Sequence, residues 1–287
     1  MKRKPNLFIV GAQKCASTSL KSWLNQHPDV FLSYNELHFF SNDDWEDGLQ
    51  KYLDVFNGKT ERYVGEKTPE YFHTKRIPPR IAKVAPDAKI IILVRNPADR
   101  AYSAYWFWRS RGKFPLVINS FEASFFKSKH DWGQMRHIGK YSQHIRNYYD
   151  HFPKENILIL KVEDFKKNPQ VTLENVCKFL QLTPIIFDTT QKRNQTVVPQ
   201  SKLIMALLLF RWIIKVIRKF GMKRTTETGF LIKAINISRR CTKDKHCRKG
   251  YPPMNKKTRQ KLNKYYESYN NELYQLTGIK WSKEKSI

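Results

Sequence analysis

Two strand–loop–helix units constrain the fold of this chain more than any other feature. In the first, the apolar stretch Leu7–Gly11 leads through a small polar loop to a helix predicted over residues 18–25. In the second, the β-branched stretch Lys89–Val94 leads to a helix predicted over residues 98–109. Continuous apolar strands followed by helices are typical of parallel sheets covered on both faces. The pattern therefore predicts an α/β fold with a central parallel β-sheet flanked by helices.

Other periodic segments extend the same order. Strands are predicted over residues 63–68 and 156–162, and helices over residues 77–84, 121–129, 141–152, 169–182 and 256–278. The amphipathic stretch 45–56 is predicted to be a solvated surface helix. Because no linker is evident, one domain over residues 1–287 is expected, with a basic helical insertion at about 200–248.

The loop of the first unit has the features of an anion site. Small residues surround Lys14 before the helix begins, and a helix N-terminus presents backbone N–H groups and a positive dipole end to a phosphate. The nucleotide-binding pattern GxxxxGK[ST] is not met, because Gly11 lies three residues before Lys14 and Cys15 follows it. An ordinary strand–turn–helix with an incidental lysine is the alternative. Downstream, Glu36 and His38 supply a candidate base.

The second unit places a cation at the end of its strand. Arg95 directly follows Lys89–Val94, and ligands of open α/β sheets bind at the carboxyl ends of the strands. Lys14 and Arg95 are therefore predicted to bind two anionic ends of one ligand. A surface salt bridge between Arg95 and Asp99 is the alternative.

The charge balance favours anionic partners. The chain has 53 Lys and Arg against 25 Asp and Glu, a net charge of +28. Nucleic acid, anionic lipid or a polyanionic substrate would each suit this charge. The apolar segment 203–220 is interrupted by four basic residues, so it is not predicted to span a membrane. It is interpreted either as an interfacial helix on anionic lipid or as a helix packed on the domain.

Cysteine usage and the N-terminus indicate a cytoplasmic protein, with peripheral membrane contact as an alternative. Four cysteines form no dense disulfide framework, and residues 7–10 are too short for a secretory apolar region. Cys241 and Cys247 lack the spacing of a zinc site, and whether they form a disulfide is left open.

Five segments, in order along the chain, resemble the sulfotransferases that use 3′-phosphoadenosine 5′-phosphosulfate (PAPS), especially those of the heparan-sulfate type and bacterial carbohydrate sulfotransferases. They are GAQKCASTSLKSWLNQHP, NELHFFSN, GEKTPEYF, LVRNPADRAYSAY and RKGYPP. In the family these resemble the 5′-phosphosulfate loop, the catalytic segment, a substrate-side strand end, the 3′-phosphate site and a late nucleotide-binding loop. Two departures lie in the first segment, where Ala16 and Ser17 stand at positions that are glycine and threonine in many relatives.

The resemblance implies an enzyme that transfers a sulfuryl group from PAPS, by in-line displacement, to a hydroxyl or amine of a carbohydrate acceptor, leaving the bisphosphate PAP. Glu36 would be the general base, His38 a second base or a positioning group, Lys14 the cation on the leaving phosphate, and Lys67 a group that orients Glu36 or the acceptor. An ion pair of Glu36 with Lys67, without catalysis, is the alternative. No metal is expected.

The resemblance also implies two binding sets. The co-substrate would be held by Lys14, Cys15, Ala16, Ser17, Thr18, Ser19, Arg95, Ser103, Lys249, Gly250 and Tyr251. The acceptor, a glycan or other hydroxyl-bearing and anionic molecule, would contact Lys67, Trp106, Arg109 and Tyr141. Nucleic acid is not expected as a partner, and the oligomeric state is left open.

Two other classes of function remain as alternatives at this point. A nucleotide-dependent, kinase-like transferase would bind ATP. A basic protein that binds nucleic acid or anionic membrane without catalysis would explain the charge. Binding of PAP separates both from a sulfotransferase.

Overall fold

The structure is a computed structural model that describes residues 2–111, 120–131, 134–190 and 247–281, with residues 197–199 and 247–249 described by their backbone alone. The strands are β1 (Leu7–Gly11), β2 (Val30–Leu32), β3 (Tyr63–Lys67), β4 (Lys89–Val94), β5 (Ile157–Lys161), β6 (Val197–Pro199) and β7 (Cys247–Lys249). The helices are α1 (Ser17–Leu24), α2 (Leu49–Asp54), α3 (Ile77–Val84), α4 (Pro97–Arg109), α5 (Tyr141–Tyr149), α6 (Val162–Lys167), α7 (Pro169–Phe179) and α8 (Lys256–Thr277).

A five-stranded parallel sheet in the order β2-β3-β1-β4-β5 forms the core. The central strand β1 pairs Leu7 with Gly65 of β3 on one side and with Lys89 of β4 on the other. All five residues of β1 are buried, as a strand covered by helices on both faces requires. The predicted α/β fold with a central parallel sheet is therefore confirmed.

The segment 45–56 was predicted to be a solvated surface helix, and that prediction is wrong. The helix is shorter, Leu49–Asp54, and its aromatic side chain Tyr52 is buried together with Trp45 and Phe56. Tyr52 stacks on Phe39 with ring centroids 4.0 Å apart. The apolar stripe of this segment thus packs against residues 39–40, which lie within the predicted catalytic segment NELHFFSN.

The chain divides into two compact units. The first comprises Met1–Arg100, His137–Asn194 and Lys264–Ile287 and contains the parallel sheet. The second comprises Ala101–Arg136 and Gln195–Asn263 and contains the antiparallel pair of β6 and β7. The prediction of one domain with an insertion at about 200–248 stays a prediction, because residues 200–246 lie outside the described residues. The segment 203–220 and Cys241 lie there as well.

The last helix, predicted over residues 256–278, is confirmed as Lys256–Thr277 and packs one face into the core. Leu262, Tyr266 and Leu273 of α8 are fully buried. In the first unit, a Cβ atom on Gly139 would lie 2.6 Å from the ring of Tyr266, so glycine permits this close approach. No helix in the described part of the chain is long and apolar enough to cross a membrane.

Candidate active site

The carboxyl ends of the five parallel strands meet at one edge of the sheet in the first unit. Lys14 follows β1, Glu36 follows β2 and Arg95 follows β4, while Lys67 is the last residue of β3. Parallel pairing of all these strands brings the four segments to the same edge. Ligands of open α/β sheets bind at this edge.

The last residue of β1, Gly11, lies too close to its neighbours to carry a side chain. Gly11 has a φ of +138°, and a Cβ atom there would lie 2.6 Å from the carbonyl oxygen of Pro69. Ala12 N–H donates to the carbonyl of Leu93 at 2.6 Å, which fixes the loop to β4. Lys14 and Ala16 both have left-handed backbone conformations, with φ of 68° and 59°.

Helix α1 begins immediately after this loop, with Ala16 at its N-cap and no side-chain cap. Its first turn contains no acidic residue. The N–H groups of a first helical turn have no partner within the helix and suit an anion. Ser17 and Ser19 are buried, and Thr18 is half-buried. This loop and first turn therefore suit a phosphate-like anion.

Cys15 was predicted to contact the co-substrate, and its side chain does not fit that role. The thiol is fully buried, and burial raises its pKa to about 11. A neutral, enclosed thiol packs the loop, so Cys15 offers only its backbone to a ligand.

Three of the four predicted catalytic residues, Glu36, His38 and Lys67, come together around Glu36, whereas Lys14 lies in the loop after β1. Lys67, whose side chain is 4% exposed, pairs with Oε1 of Glu36 and also lies 3.3 Å from the hydroxyl of Thr18 in α1. His38 Nε2 is 3.4 Å from Oε2 of Glu36, and His38 Nδ1 is 3.0 Å from Oε2 of Glu70. We call these five side chains the Glu36 cluster. Lys67 and Glu36 are therefore in contact, as both the predicted orienting role of Lys67 and the alternative of a plain ion pair require, and the role itself stays a prediction.

Glu66, which the sequence reasoning missed, supports this cluster from below. It is fully buried and accepts hydrogen bonds from Tyr52 at 2.7 Å, Thr68 at 2.6 Å and Tyr71 at 3.3 Å. Burial raises its pKa, and these donors together with the N–H of Leu37 oppose that rise. Because Leu37 lies between Glu36 and His38, Glu66 fixes the backbone that carries both.

Arg95 is held through its own backbone. The hydroxyl of Tyr141 donates to the carbonyl oxygen of Arg95 at 2.8 Å, and Asn96 N–H donates to Glu163 at 2.9 Å. Tyr141 was predicted to bind the acceptor. That prediction is wrong, because its side chain is 0% exposed and its hydroxyl is used by Arg95.

The remaining predicted residues lie in the second unit. Trp106 and Tyr251 have nearly parallel rings with centroids 6.5 Å apart, and Tyr102 makes edge contacts with both. Ser103, the residue after Tyr102 in α4, is buried. The Arg109 guanidinium lies over Tyr105. Of the late loop, Lys249 ends β7 and Gly250 follows with a φ of +89°.

Among the described residues, no group of three or more His, Cys, Asp and Glu side chains is arranged to hold a metal ion.

Solved structures resemble this fold. A sulfotransferase from Alicyclobacillus acidocaldarius has a TM-score of 0.69 at 24% identity, covering 97% of this chain and 98% of that one. A mouse sulfotransferase complexed with PAP has a TM-score of 0.52 at 16% identity, covering 93% of this chain and 84% of that one. At these identities the likeness concerns the fold.

Curated relatives match in sequence. The bifunctional heparan sulfate N-deacetylase/N-sulfotransferase 2 from Bos taurus is 33% identical over 202 residues, which are 64% of this chain and 23% of the relative. The human heparan sulfate glucosamine 3-O-sulfotransferase 3B1 is 28% identical over 284 residues, which are 96% of this chain and 64% of the relative. The chain thus spans less than two thirds of the length of either.

A family model matches nearly the whole chain. The model described as the sulfotransferase domain matches residues 4–278, which include both strand–loop–helix units and the Glu36 cluster. This chain therefore belongs to the sulfotransferase family.

Proposed function

We propose that this chain transfers a sulfuryl group from PAPS to a hydroxyl or amine of a carbohydrate acceptor. One observation carries the proposal: the buried ammonium of Lys67 lies between Thr18, in the first turn of α1, and Glu36. The same cation therefore contacts two groups. One is a helix N-terminus suited to binding an anionic donor, and the other is a carboxylate suited to taking a proton from the acceptor molecule. A group transfer needs this adjacency, whereas a simple anion-binding surface does not.

The loop after β1 would hold the donor end. PAPS supplies an activated sulfuryl group on a phosphate leaving group. The N-terminus of α1 would bind the phosphate, and Lys14 would stabilise the charge that builds on it. Arg95, which follows the adjacent strand, would bind the 3′-phosphate through its guanidinium fork. Positive charge and positioning supply most of the catalysis in such displacements.

Glu36 would remove the acceptor proton. Its carboxylate is partly exposed, so an acceptor can reach it, and its pairing with Lys67 keeps it oriented. The hydroxyl or amine of the acceptor must lose a proton as it attacks, and a carboxylate within hydrogen-bond reach can accept it. His38 Nε2 lies 3.4 Å from the second carboxylate oxygen of Glu36. This second proton-accepting group would not be needed if Glu36 only formed an ion pair with Lys67.

In the second unit, the aromatic pair Trp106 and Tyr251 and the adjacent Ser103, Lys249 and Gly250 would bind the nucleotide or the acceptor. Their roles stay predictions. A carbohydrate acceptor is supported by the two relatives, whose names specify heparan sulfate N-sulfation and 3-O-sulfation. The net charge of +28 suits an anionic glycan. A cytoplasmic location stays a prediction.

The test measures transfer of labelled sulfate from PAPS to a panel of glycans, with calorimetric binding of PAP. We expect wild-type protein to bind PAP and to label at least one glycan. Glu36→Gln should bind PAP normally and lose turnover by a factor on the order of 100 or more, because it removes the base alone. Lys14→Ala should lose both PAP binding and turnover. The exposed Glu46, which pairs with Lys83, provides the control Glu46→Gln. Wild-type turnover in Glu36→Gln, or no binding of PAP, would contradict the proposed function.

A further inference from the structure

His38 lies between two carboxylates that come from different segments of the first unit. Its Nδ1 is 3.0 Å from Oε2 of Glu70, and its Nε2 is 3.4 Å from Oε2 of Glu36. We propose that Glu70 is a positioning residue that keeps the proton of His38 on Nδ1, so that Nε2 exchanges a proton with Glu36. The inference deepens the proposed function and rests on it.

Hydrogen-bond chemistry assigns the proton. A neutral imidazole has one N–H donor and one acceptor nitrogen, and a carboxylate only accepts. Nδ1 lies 3.0 Å from Oε2 of Glu70, closer than the 3.4 Å between Nε2 and Oε2 of Glu36, so the single proton of the neutral ring is assigned to Nδ1, beside the nearer carboxylate. The bond made by one ring nitrogen decides the state of the other. Nε2 therefore faces Glu36 with its lone pair whenever His38 is neutral.

Buried contacts hold Glu70 and His38 at this spacing. Tyr71, directly after Glu70, is fully buried, and its hydroxyl accepts a hydrogen bond from the N–H of Phe40 at 3.2 Å. The carbonyl of Tyr71 accepts from Tyr148 at 3.0 Å. Tyr71 therefore ties the backbone after His38 to the backbone that carries Glu70. Such supporting contacts are what keep a catalytic group in its productive geometry.

The arrangement gives the acceptor proton a path out of the site. As the acceptor oxygen or nitrogen bonds to sulfur, the bond from sulfur to the phosphate oxygen breaks, and the acceptor proton moves to Oε2 of Glu36. Oε1 is already paired with Lys67. The proton then moves from Glu36 to Nε2 of His38, which restores the carboxylate and leaves an imidazolium between two carboxylates. Solvent takes the proton from the half-exposed imidazolium. The negative charge of Glu70 stabilises that imidazolium.

Two substitutions separate the acceptor oxygen of Glu70 from its negative charge. Glu70→Gln keeps a carbonyl oxygen that can accept from Nδ1 but removes the negative charge. Glu70→Ala removes both. Nitrogen-15 spectra of histidine-labelled protein report which ring nitrogen carries the proton, and His38→Gln identifies the signal among the eight histidines. We expect the Nδ1–H form in wild type and in Glu70→Gln. In Glu70→Ala we expect the Nε2–H form, because Glu36 is then the remaining acceptor.

Kinetics supply the second readout. We expect kcat to fall about 10-fold in Glu70→Gln and on the order of 100-fold in Glu70→Ala, because alignment of a proton-transfer group contributes at this scale. The KM for PAPS and the Kd for PAP should change less than about twofold, since the partner of Glu70 is His38 rather than the loop after β1. Glu46→Gln, which removes an exposed carboxylate paired with Lys83, should match wild type in every measurement.

The outcomes are distinct. An Nε2–H form in the wild type, an Nδ1–H form that persists in Glu70→Ala, or a kcat within twofold of wild type in Glu70→Gln would each overturn the role of Glu70. Failure of the wild-type protein to bind PAP would instead count against the proposed function, because the proton position is measured without co-substrate. If Glu70→Ala does not fold, the kcat of Glu70→Gln still decides.

Discussion

Ala16 occupies a backbone conformation that suits glycine. Its φ of 59° lies in the left-handed region, at the N-cap of α1. An L-residue other than glycine costs about 1–2 kcal/mol there. We expect Ala16→Gly to raise the free energy of unfolding by up to about 1 kcal/mol, part of the relief being offset by the greater freedom of glycine in the unfolded chain.

Urea unfolding measures this difference. The matched control is Ala82→Gly within helix α3, where the same substitution should lower stability by about 1 kcal/mol. If both substitutions lower the free energy of unfolding equally, the left-handed conformation of Ala16 does not destabilise the folded protein.

Glu66 should matter for stability as well as for the site. Glu66→Gln replaces a carboxylate by an amide whose nitrogen can only donate, while the N–H of Leu37 and three hydroxyls point at it. Leaving a buried donor without an acceptor costs roughly 1–3 kcal/mol. We expect a loss of stability of that size in chemical unfolding, and a smaller effect on the exposed Glu46→Gln. Stability equal to wild type would mean that the hydroxyls reorient without cost.

The sequence allowed Glu36, His38 and Lys67 to be predicted, whereas Glu66 and Glu70 were missed. A signal for Glu66 was present, because neighbouring residues of a strand point to opposite faces. If Lys67 faces the site, Glu66 must enter the opposite, buried face. No comparable signal existed for Glu70, since its contact with His38 depends on how the turn at Tyr71–His73 is packed. Tyr141 was assigned wrongly because its helix was predicted without knowing which face the sheet covers.

At the scale of elements, helix α5 carries a buried histidine that should make stability depend on pH. Burial, together with the charges of His137, Arg100 and Lys140, lowers the pKa of His144 to about 4, and the hydrogen bond to the carbonyl of His137 opposes this shift. The rings of His137 and His73 lie 4.7 Å and 6.5 Å away. In the unfolded chain this imidazole binds a proton near pH 6.5. Between these values the unfolded state binds more protons, so stability falls as pH drops from about 6.5 towards 4.

Substituting His144 tests this directly. The glutamine of His144→Gln can still donate to the carbonyl of His137. Between pH 7 and pH 4, we expect the free energy of unfolding of this variant to fall by as much as about 3 kcal/mol less than that of the wild type. Unfolding curves at several pH values measure it. The exposed His130 gives the control His130→Gln, which should keep the wild-type dependence. A wild-type pH dependence in His144→Gln would assign the effect to other groups.

Most elements were predictable, because apolar runs and helical periodicity dominate their sequences. The strands β1 and β4 and the helix α3 match their predicted bounds. Strand β2 was missed because three residues are too few to show a period. The prediction for segment 45–56 was wrong because an amphipathic pattern does not show whether its apolar side packs against a core or lies at the surface. The aromatic residues that this segment packs against lie elsewhere in the chain.

At the scale of the whole molecule, the charge of +28 should act on acceptor capture. Attraction between separated charges is screened within about 8–10 Å at physiological salt. We expect the KM for an anionic glycan to rise severalfold between 50 and 300 mM NaCl, while kcat changes little, because the Glu36–Lys67 contact involves a buried cation that salt screens weakly. Steady-state kinetics over a salt series measure both, and a neutral acceptor serves as the control. An equal rise in KM for the neutral acceptor would contradict electrostatic capture.

The division into two units has a consequence for synthesis on the ribosome. The first unit is assembled from segments before and after the second, and its last segment is the greater part of α8. Domains generally fold as they emerge, yet here the stripe containing Tyr266 and Leu273 leaves the exit tunnel only after the whole second unit. The surface around Gly139, just before α5, therefore stays uncovered until α8 is released.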